Sequence, residues 1–197
     1  MLQTPTKTLL KHLDIHSKRK EERLKYYDCY QQPSYRMGNN RKKDAFEVIQ
    51  NLRVRGSFLD VGAGRGETVR FARESGFSPV AGVEVVDYLL GDGIVFGEAY
   101  NLPFEDNSFD VVTSFDVFEH LLSEDTEIAL KEVSRVAKKA IVLCIPNTPS
   151  HGHKHDLHIN LRPFSEWHQL IDANIQGLIT VMPNSRARSK TWIIERS

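Results

Sequence analysis

Two stretches of the chain concentrate the residue types that chemistry uses. The first is Asp60-Val61-Gly62-Ala63-Gly64-Arg65-Gly66-Glu67, with glycine at alternate positions after an apolar run. Glycine lets the backbone turn sharply and lets a ligand approach it closely. A helix start just beyond such a turn attracts negative charge. The dinucleotide pattern Gly-x-Gly-x-x-Gly uses its third glycine to pack helix on strand. Here that glycine comes one residue early and Glu67 stands in its place, which argues against a pyrophosphate-bearing cofactor. The second stretch is His151-Gly152-His153-Lys154-His155-Asp156-Leu157-His158, where four of the chain's eight histidines fall together. Imidazole titrates near neutrality and suits general-base work. It also ligates metals, but this spacing matches no zinc pattern, and no metal is assigned. Two smaller groups stand beside these. Asp116, Glu119 and His120 bring two carboxylates and an imidazole within five residues, and Tyr26, Tyr27, Tyr30, Tyr35 and Arg36 form an aromatic, basic segment.

These groups need elements to hold them. Ala45, Val48, Ile49 and Leu52 recur at i, i+3, i+4 and i+7, one face of a helix. Ser57–Val61 is a short apolar run ending in the glycines, the pattern of a buried strand. Glu67–Ser75 reads as a helix stopped by Gly76, and Val80–Val85 as a second strand. Asp87–Gly93 has room only for a stunted helix before a weak third strand, Ile94–Phe96. Phe109–Phe115 is the fourth strand. Ser123 is expected to cap a helix carrying Ala129, Val133, Val136 and Ala137, with Lys138 and Lys139 as its basic end. Ala140–Pro146 follows as the fifth strand, and Ser165 is expected to cap a helix with Trp167, Leu170 and Ile171 inward. Gly177–Met182 and Thr191–Glu195 close the chain as an antiparallel hairpin. This alternation predicts an α/β fold, a three-layer sandwich around a mainly parallel seven-stranded sheet. In such sheets ligands bind outside the carboxyl ends of the strands, where the glycine turn, Glu84, Asp116 and Asn147 all fall.

The chain has 197 residues and a formal net charge of zero, from 26 basic and 26 acidic side chains. That balance excludes a protein that coats nucleic acid through a general basic excess. The distribution is uneven, however. Residues 1–55 hold 13 Lys/Arg against 6 Asp/Glu, and residues 84–130 hold 12 Asp/Glu with no Lys or Arg. Two unpaired cysteines, no apolar run near the ~20 residues of a membrane helix and no signal-peptide pattern predict a cytoplasmic protein with no membrane partner.

From Phe58 onward the sequence resembles the class I, Rossmann-like methyltransferases that use S-adenosylmethionine. Phe58-Leu59-Asp60-Val61-Gly62-Ala63-Gly64-Arg65-Gly66 is similar to their first motif, and the likeness continues in order over about 120 residues. It implies that Asp60, Gly62, Ala63, Gly64 and Gly66 cradle the cofactor. It implies that Glu84, with Val85 beside it, bonds the ribose hydroxyls, as a carboxylate can accept both at once. It gives Glu98 and the Ala99 backbone to the adenine through Glu98-Ala99-Tyr100-Asn101-Leu102-Pro103-Phe104, and Phe115 and Asp116 to the cofactor pocket after the fourth strand. Residues 1–43 are then a helical and loop appendage that lids the site, and 44–197 the catalytic domain. The short link between the second and third strands departs from the usual pattern and leaves a sheet face open for a partner subunit or substrate.

The acceptor side follows from the same resemblance. His120, His155 and His158 are the candidate bases, and Tyr30, Tyr35, Arg36 and Asn147 the candidate acceptor contacts. Asp116-x-x-Glu119-His120 resembles the metal-binding spacing of some quinone-type O-methyltransferases, but Glu-His-Leu is widespread in relatives without metal. The expected acceptor is a small molecule or sugar, oxygen or nitrogen, and anionic if the basic segment faces it. Two alternatives stand beside this one. One is an RNA or other nucleic-acid methyltransferase, or accessory subunit, that docks through the basic N-terminus. The other is a cofactor-binding protein without transferase activity.

Overall fold

A computed structural model describes residues 7–35, 39–150, 155–184 and 188–196. Arg36, His151 and His153, named above, lie outside them. The chain divides into two compact units, Met1–Tyr35 and Arg36–Ser197. The described residues of the first form one helix, α1 (Lys7–Tyr30), and the turns after it. Its charged surface is laced by Lys25–Glu22 and Lys18–Asp14 pairs at helical spacing. The rings of Tyr30 and Tyr35 meet edge to face, 4.7 Å between centroids.

The second unit is built on seven strands: β1 (Phe58–Val61), β2 (Val80–Glu84), β3 (Ile94–Phe96), β4 (Phe109–Phe115), β5 (Ala137–Pro146), β6 (Leu178–Pro183) and β7 (Ser189–Glu195). Their order is β3-β2-β1-β4-β5-β7-β6. The first five run parallel, and β7 lies antiparallel between β5 and β6. Order reverses at β1, so the crevice of such a sheet opens between the carboxyl ends of β1 and β4.

The alternation of side chains along the strands sorts the core into two faces. Leu59, Val61, Ile141, Leu143 and Ile145 pack with helices α4 (Thr126–Val136) and α5 (Phe164–Asn174). Phe58, Val111, Phe115, Ala140, Val142 and Cys144 pack with α2 (Asn39–Asn51) and α3 (Glu67–Glu74). Phe109 faces the first set and Val111 the second. The register of β4 on β5 shifts between them, which is how two residues of equal parity reach opposite faces. Burial pushes the Cys144 thiol up to about 12, so it is a packing group rather than a nucleophile.

The structure moves three expected boundaries. Helix α4 begins at Thr126, after a tight turn over Ser123–Asp125, and the Ser123 hydroxyl accepts from Arg162 instead of capping it. The helix ends at Val136 and β5 starts at once, so Ala137, Lys138 and Lys139 belong to the strand. Helix α5 starts at Phe164 behind Pro163, and Ser165 lies inside it. Between β2 and β3 the chain makes only a single turn, Asp87–Leu89, as the short spacing predicts. Among the described residues no helix is long and apolar enough to cross a membrane.

Candidate active site

The glycine turn joins β1 to α3. Gly62, Gly64 and Gly66 take positive φ of 79°, 52° and 72°, a region that disfavours side chains. Gly62 is further confined by its neighbour: a Cβ there would lie 2.3 Å from Val117 Cγ2, so the turn packs directly on the loop after β4. The N–H groups of Gly62 and Ala63 both donate to Val83 O at 2.9 Å, which anchors the turn to β2. Ala63 packs with Val69 and Ile94.

Glu84 closes the turn from the other side. Its Oε2 accepts from Gly64 N–H at 2.8 Å, and its Oε1 accepts from Val85 N–H at 2.8 Å and Val86 N–H at 3.1 Å. A carboxylate offers about four acceptor sites, so one is left for a ligand. Asp60 stands beside it, 3% exposed, and takes Thr113 Oγ1–H at 2.8 Å. Burial raises the Asp60 carboxyl to about 7. Bonds from Thr113 and Thr68 oppose the rise, and the Glu84 charge adds to it. Burial also raises Glu84, against its three backbone donors. Two buried carboxylates therefore share one turn, and the Glu84 charge disfavours that of Asp60.

Glu98 and Ala99 lie in the turn after β3, closed by Asn101 N–H to Glu98 O at 2.8 Å, with Ala99 buried. Phe115 is part of the α2–α3 core.

A second constellation forms after β4. Asp116 has φ of 58°, and its Oδ2 accepts from Arg41 Nη1 of α2 at 2.7 Å, while Oδ1 is buried with no partner. Glu119 is fully buried and neither of its carboxylate oxygens has a hydrogen-bond partner. Burial, and then the Asp116 charge, pushes its carboxyl well above the ordinary range. Nε2 of His120 lies 3.4 Å from Glu119 Oε1, and Nε2 of His158 lies 4.0 Å from it. The two rings meet edge to face at 4.8 Å. Nδ1 of His120 sits 2.8 Å from Leu157 O, and Nδ1 of His158 sits 2.5 Å from Thr148 O. A carbonyl only accepts, so each Nδ1 carries a proton, and on a neutral ring Nε2 presents a lone pair. Burial lowers the His158 pKa, which keeps that ring neutral.

Asn160 fixes this arrangement. Its N–H donates to Glu119 O at 3.0 Å, and its Nδ2 to Phe118 O at 3.1 Å and Thr126 Oγ1 at 2.8 Å. It ties the loop that carries His158 to the turn that carries Glu119 and His120.

The structure thus brings together His120 and His158 of the three predicted bases. His155 is on the same loop but outside the group, next to Asp156, which accepts from the Ser150 hydroxyl at 3.2 Å. Asn147 sits at the end of β5, its N–H bonded to Arg188 O at 2.8 Å. Tyr30 and Tyr35 belong to the first unit. Sequence reasoning missed Arg41, which reaches Asp116 from 75 positions away with no local signal. It also missed the role of Asn160, which lies two residues after His158.

Parts of the chain are similar to known proteins. Residues 59–145 match the family described as "Methyltransferase domain". A curated ubiquinone/menaquinone biosynthesis C-methyltransferase from Burkholderia mallei is 36% identical over 51% of this chain and 47% of that protein. The chain spans about half the length of the curated relatives it matches. Among solved structures, the PH0226 protein of Pyrococcus horikoshii superposes with a TM-score of 0.64 at 17% identity, over 77% of this chain and 86% of that one. The 1,6-didemethyltoxoflavin-N1-methyltransferase of Burkholderia thailandensis, solved with S-adenosylhomocysteine, gives 0.63 at 14% identity over 100% and 93%. These two likenesses speak to the fold.

Proposed function

We propose that the chain is a class I, S-adenosylmethionine-dependent methyltransferase, and that it methylates an oxygen or nitrogen of a small molecule or sugar; the match of residues 59–145 to a methyltransferase domain supports this. The observation that carries this reading is the glycine turn with its two buried carboxylates. Burial raises the proton affinity of both Asp60 and Glu84, the Glu84 charge adds to it at Asp60, and a cation held beside them would relieve both. S-adenosylmethionine is such a cation, and when bound it supplies a methyl group on a sulfonium. In this reading Gly62, Ala63, Gly64 and Gly66 admit the ligand close to the backbone. Glu84 accepts from one of its hydroxyls, Val85 stays beside Glu84, Glu98 and Ala99 flank the base, and Asp116 borders the pocket with Phe115 packed in the core behind it.

An O–H or N–H acceptor must lose its proton. The Glu119–His120–His158 group, with two Nε2 lone pairs and a buried carboxylate, is where that proton goes. Asn147, at the end of β5, lies on the acceptor side in this reading.

Methylation at carbon is the second reading, and the name of the curated relatives supports it. It draws on the same proton removal, because a phenolate is nucleophilic at ring carbon as well as at oxygen. Product analysis after methyl transfer separates the two.

Calorimetry with S-adenosylhomocysteine tests the cofactor. The wild-type chain is expected to bind it, and Glu84→Ala to weaken binding by about 1.5–3 kcal/mol, the loss for hydrogen bonds to a charged group. No binding at about 1 mM, where even a very weak complex is populated, would reject the reading. Unchanged affinity in the variant would remove Glu84 from the site.

A further inference from the structure

We propose that Glu119, His120 and His158 form a binding site for one divalent cation of the zinc type, with an open position that takes an oxygen of the acceptor. Three observations carry the site. The ligating atoms, a carboxylate oxygen and two imidazole nitrogens, all lie within 4.8 Å of one another. Glu119 is fully buried with both oxygens unpartnered, and Oε1 faces both rings. The two Nδ1–H groups are held by the carbonyls of Leu157 and Thr148, so both Nε2 atoms turn toward Glu119. Three potential ligand atoms therefore face one another around Glu119 Oε1.

The chemistry of the set selects the ion. Two imidazoles and one carboxylate are the protein ligands of one type of catalytic zinc site, whose fourth position is open. Backbone carbonyls on the far ring nitrogens are the usual orienting partners of histidine ligands. Zinc–ligand bonds of about 2.0–2.2 Å put two tetrahedral ligands roughly 3.3 Å apart. His120 and Glu119 already stand at 3.4 Å. His158, at 4.0 Å, needs a shift of less than about 1 Å. Asp116 is not a ligand, because its Oδ2 is held by Arg41.

The role at the acceptor rests on the transferase reading. With the cation bound, the three ligand lone pairs are occupied and no longer take the proton, so an acceptor hydroxyl at the open position loses its proton to solvent water. Its oxygen then forms the new O–CH3 bond as the CH3–S bond breaks with its electron pair going to sulfur. The cation lowers the acceptor's pKa, as it does for bound water.

The test uses the full chain, stripped with chelator and titrated with Zn2+ by calorimetry and with Co2+ by visible absorption. One equivalent is expected to bind with Kd below about 1 µM. Glu119→Gln and His158→Ala are each expected to weaken binding by more than about 100-fold, beyond what loss of an orienting partner costs. His168→Ala, an exposed site on α5, leaves it unchanged. Thermal transitions without metal check that the variants fold, and His120→Asn replaces either one that does not. Absence of binding, or binding that none of the ligand variants alters, overturns the site. Acetohydroxamate added to the Co2+ form reads the open position: a shifted spectrum supports it, and an unchanged one overturns the acceptor role. S-adenosylhomocysteine binding in the same samples is separate, so failure of the transferase reading is distinguishable from failure of the cation site.

Discussion

Asp60 sits in the middle of β1 with its carboxylate among threonines and a second acid. Its pKa in the folded chain is raised to about 7, chiefly by burial, against an ordinary value near 3.9. The folded state therefore holds a proton that the unfolded chain releases, and stability falls as pH rises from about 4 to 7. The loss attributable to Asp60 is at most ~4 kcal/mol and is complete above the folded pKa. Denaturant unfolding at pH 4.5 and 7.5 checks this. Asp60→Asn, which stays neutral, is expected to lose less stability over that interval than the wild-type chain. An equal loss in both would mean that Asp60 is charged in the fold at low pH. The residue scale is also where sequence reading is weakest. Alternate glycines behind an apolar run marked Asp60, and spacing plus resemblance marked Glu84. Nothing local announced that Glu84 braces the turn through three backbone amides, or that Arg41 would meet Asp116. Those contacts exist only because strands distant in sequence end at one edge of the sheet.

At the scale of elements, the glycine turn and the loop after β4 are one assembly, joined where Gly62 meets Val117. Gly62→Ala is expected to destabilise the chain by about 1–3 kcal/mol, from the positive φ together with the clash. The same variant is expected to lose S-adenosylhomocysteine affinity, because relief of the clash moves the turn. Chemical denaturation and calorimetry on one sample read both. A variant as stable and as tight as wild type would show that the loop yields freely. The strands were legible because burial alternates along them, and the stunted β2–β3 link because its residues are too few for a helix. The α4–β5 boundary was not. Lys138 and Lys139 look like a basic helix end, but Arg135 fills that role. It bonds Glu132, Asp106 and the carbonyls of Leu102 and Phe104. Lys139 reaches across to Asp110 from the strand instead, and burial of Ala137 against α4 fixes the switch. The expected Ser123 and Ser165 caps failed for a related reason. A tight turn and a proline already set the entry angles of those helices.

Over the whole molecule, the split between a basic N-terminal third and an acidic middle is partly resolved by pairing. Arg41 meets Asp116 and Lys42 meets Glu67, so two cations of the basic third are matched by acids of the domain body. This leaves less free positive charge on α2 for a phosphate backbone than the sequence count implies. The sheet order carries another consequence. Strand β6 precedes β7 in the chain, yet it reaches the sheet only through β7. Synthesis delivers the strands in one order and the sheet accepts them in another, so a growing chain cannot add β6 to the sheet until residues 189–195 have emerged. During that interval the apolar side of α5, with Trp167 and Ile171, lacks Trp192 and Ile194 as partners. Exposed surface of this kind on nascent domains attracts chaperones and proteases. A ribosome-tethered chain halted before Ser189 is expected to be cut within residues 164–183 by a protease that spares one halted after Arg196. Equal resistance of the two would show that β6 finds a place in the sheet without β7.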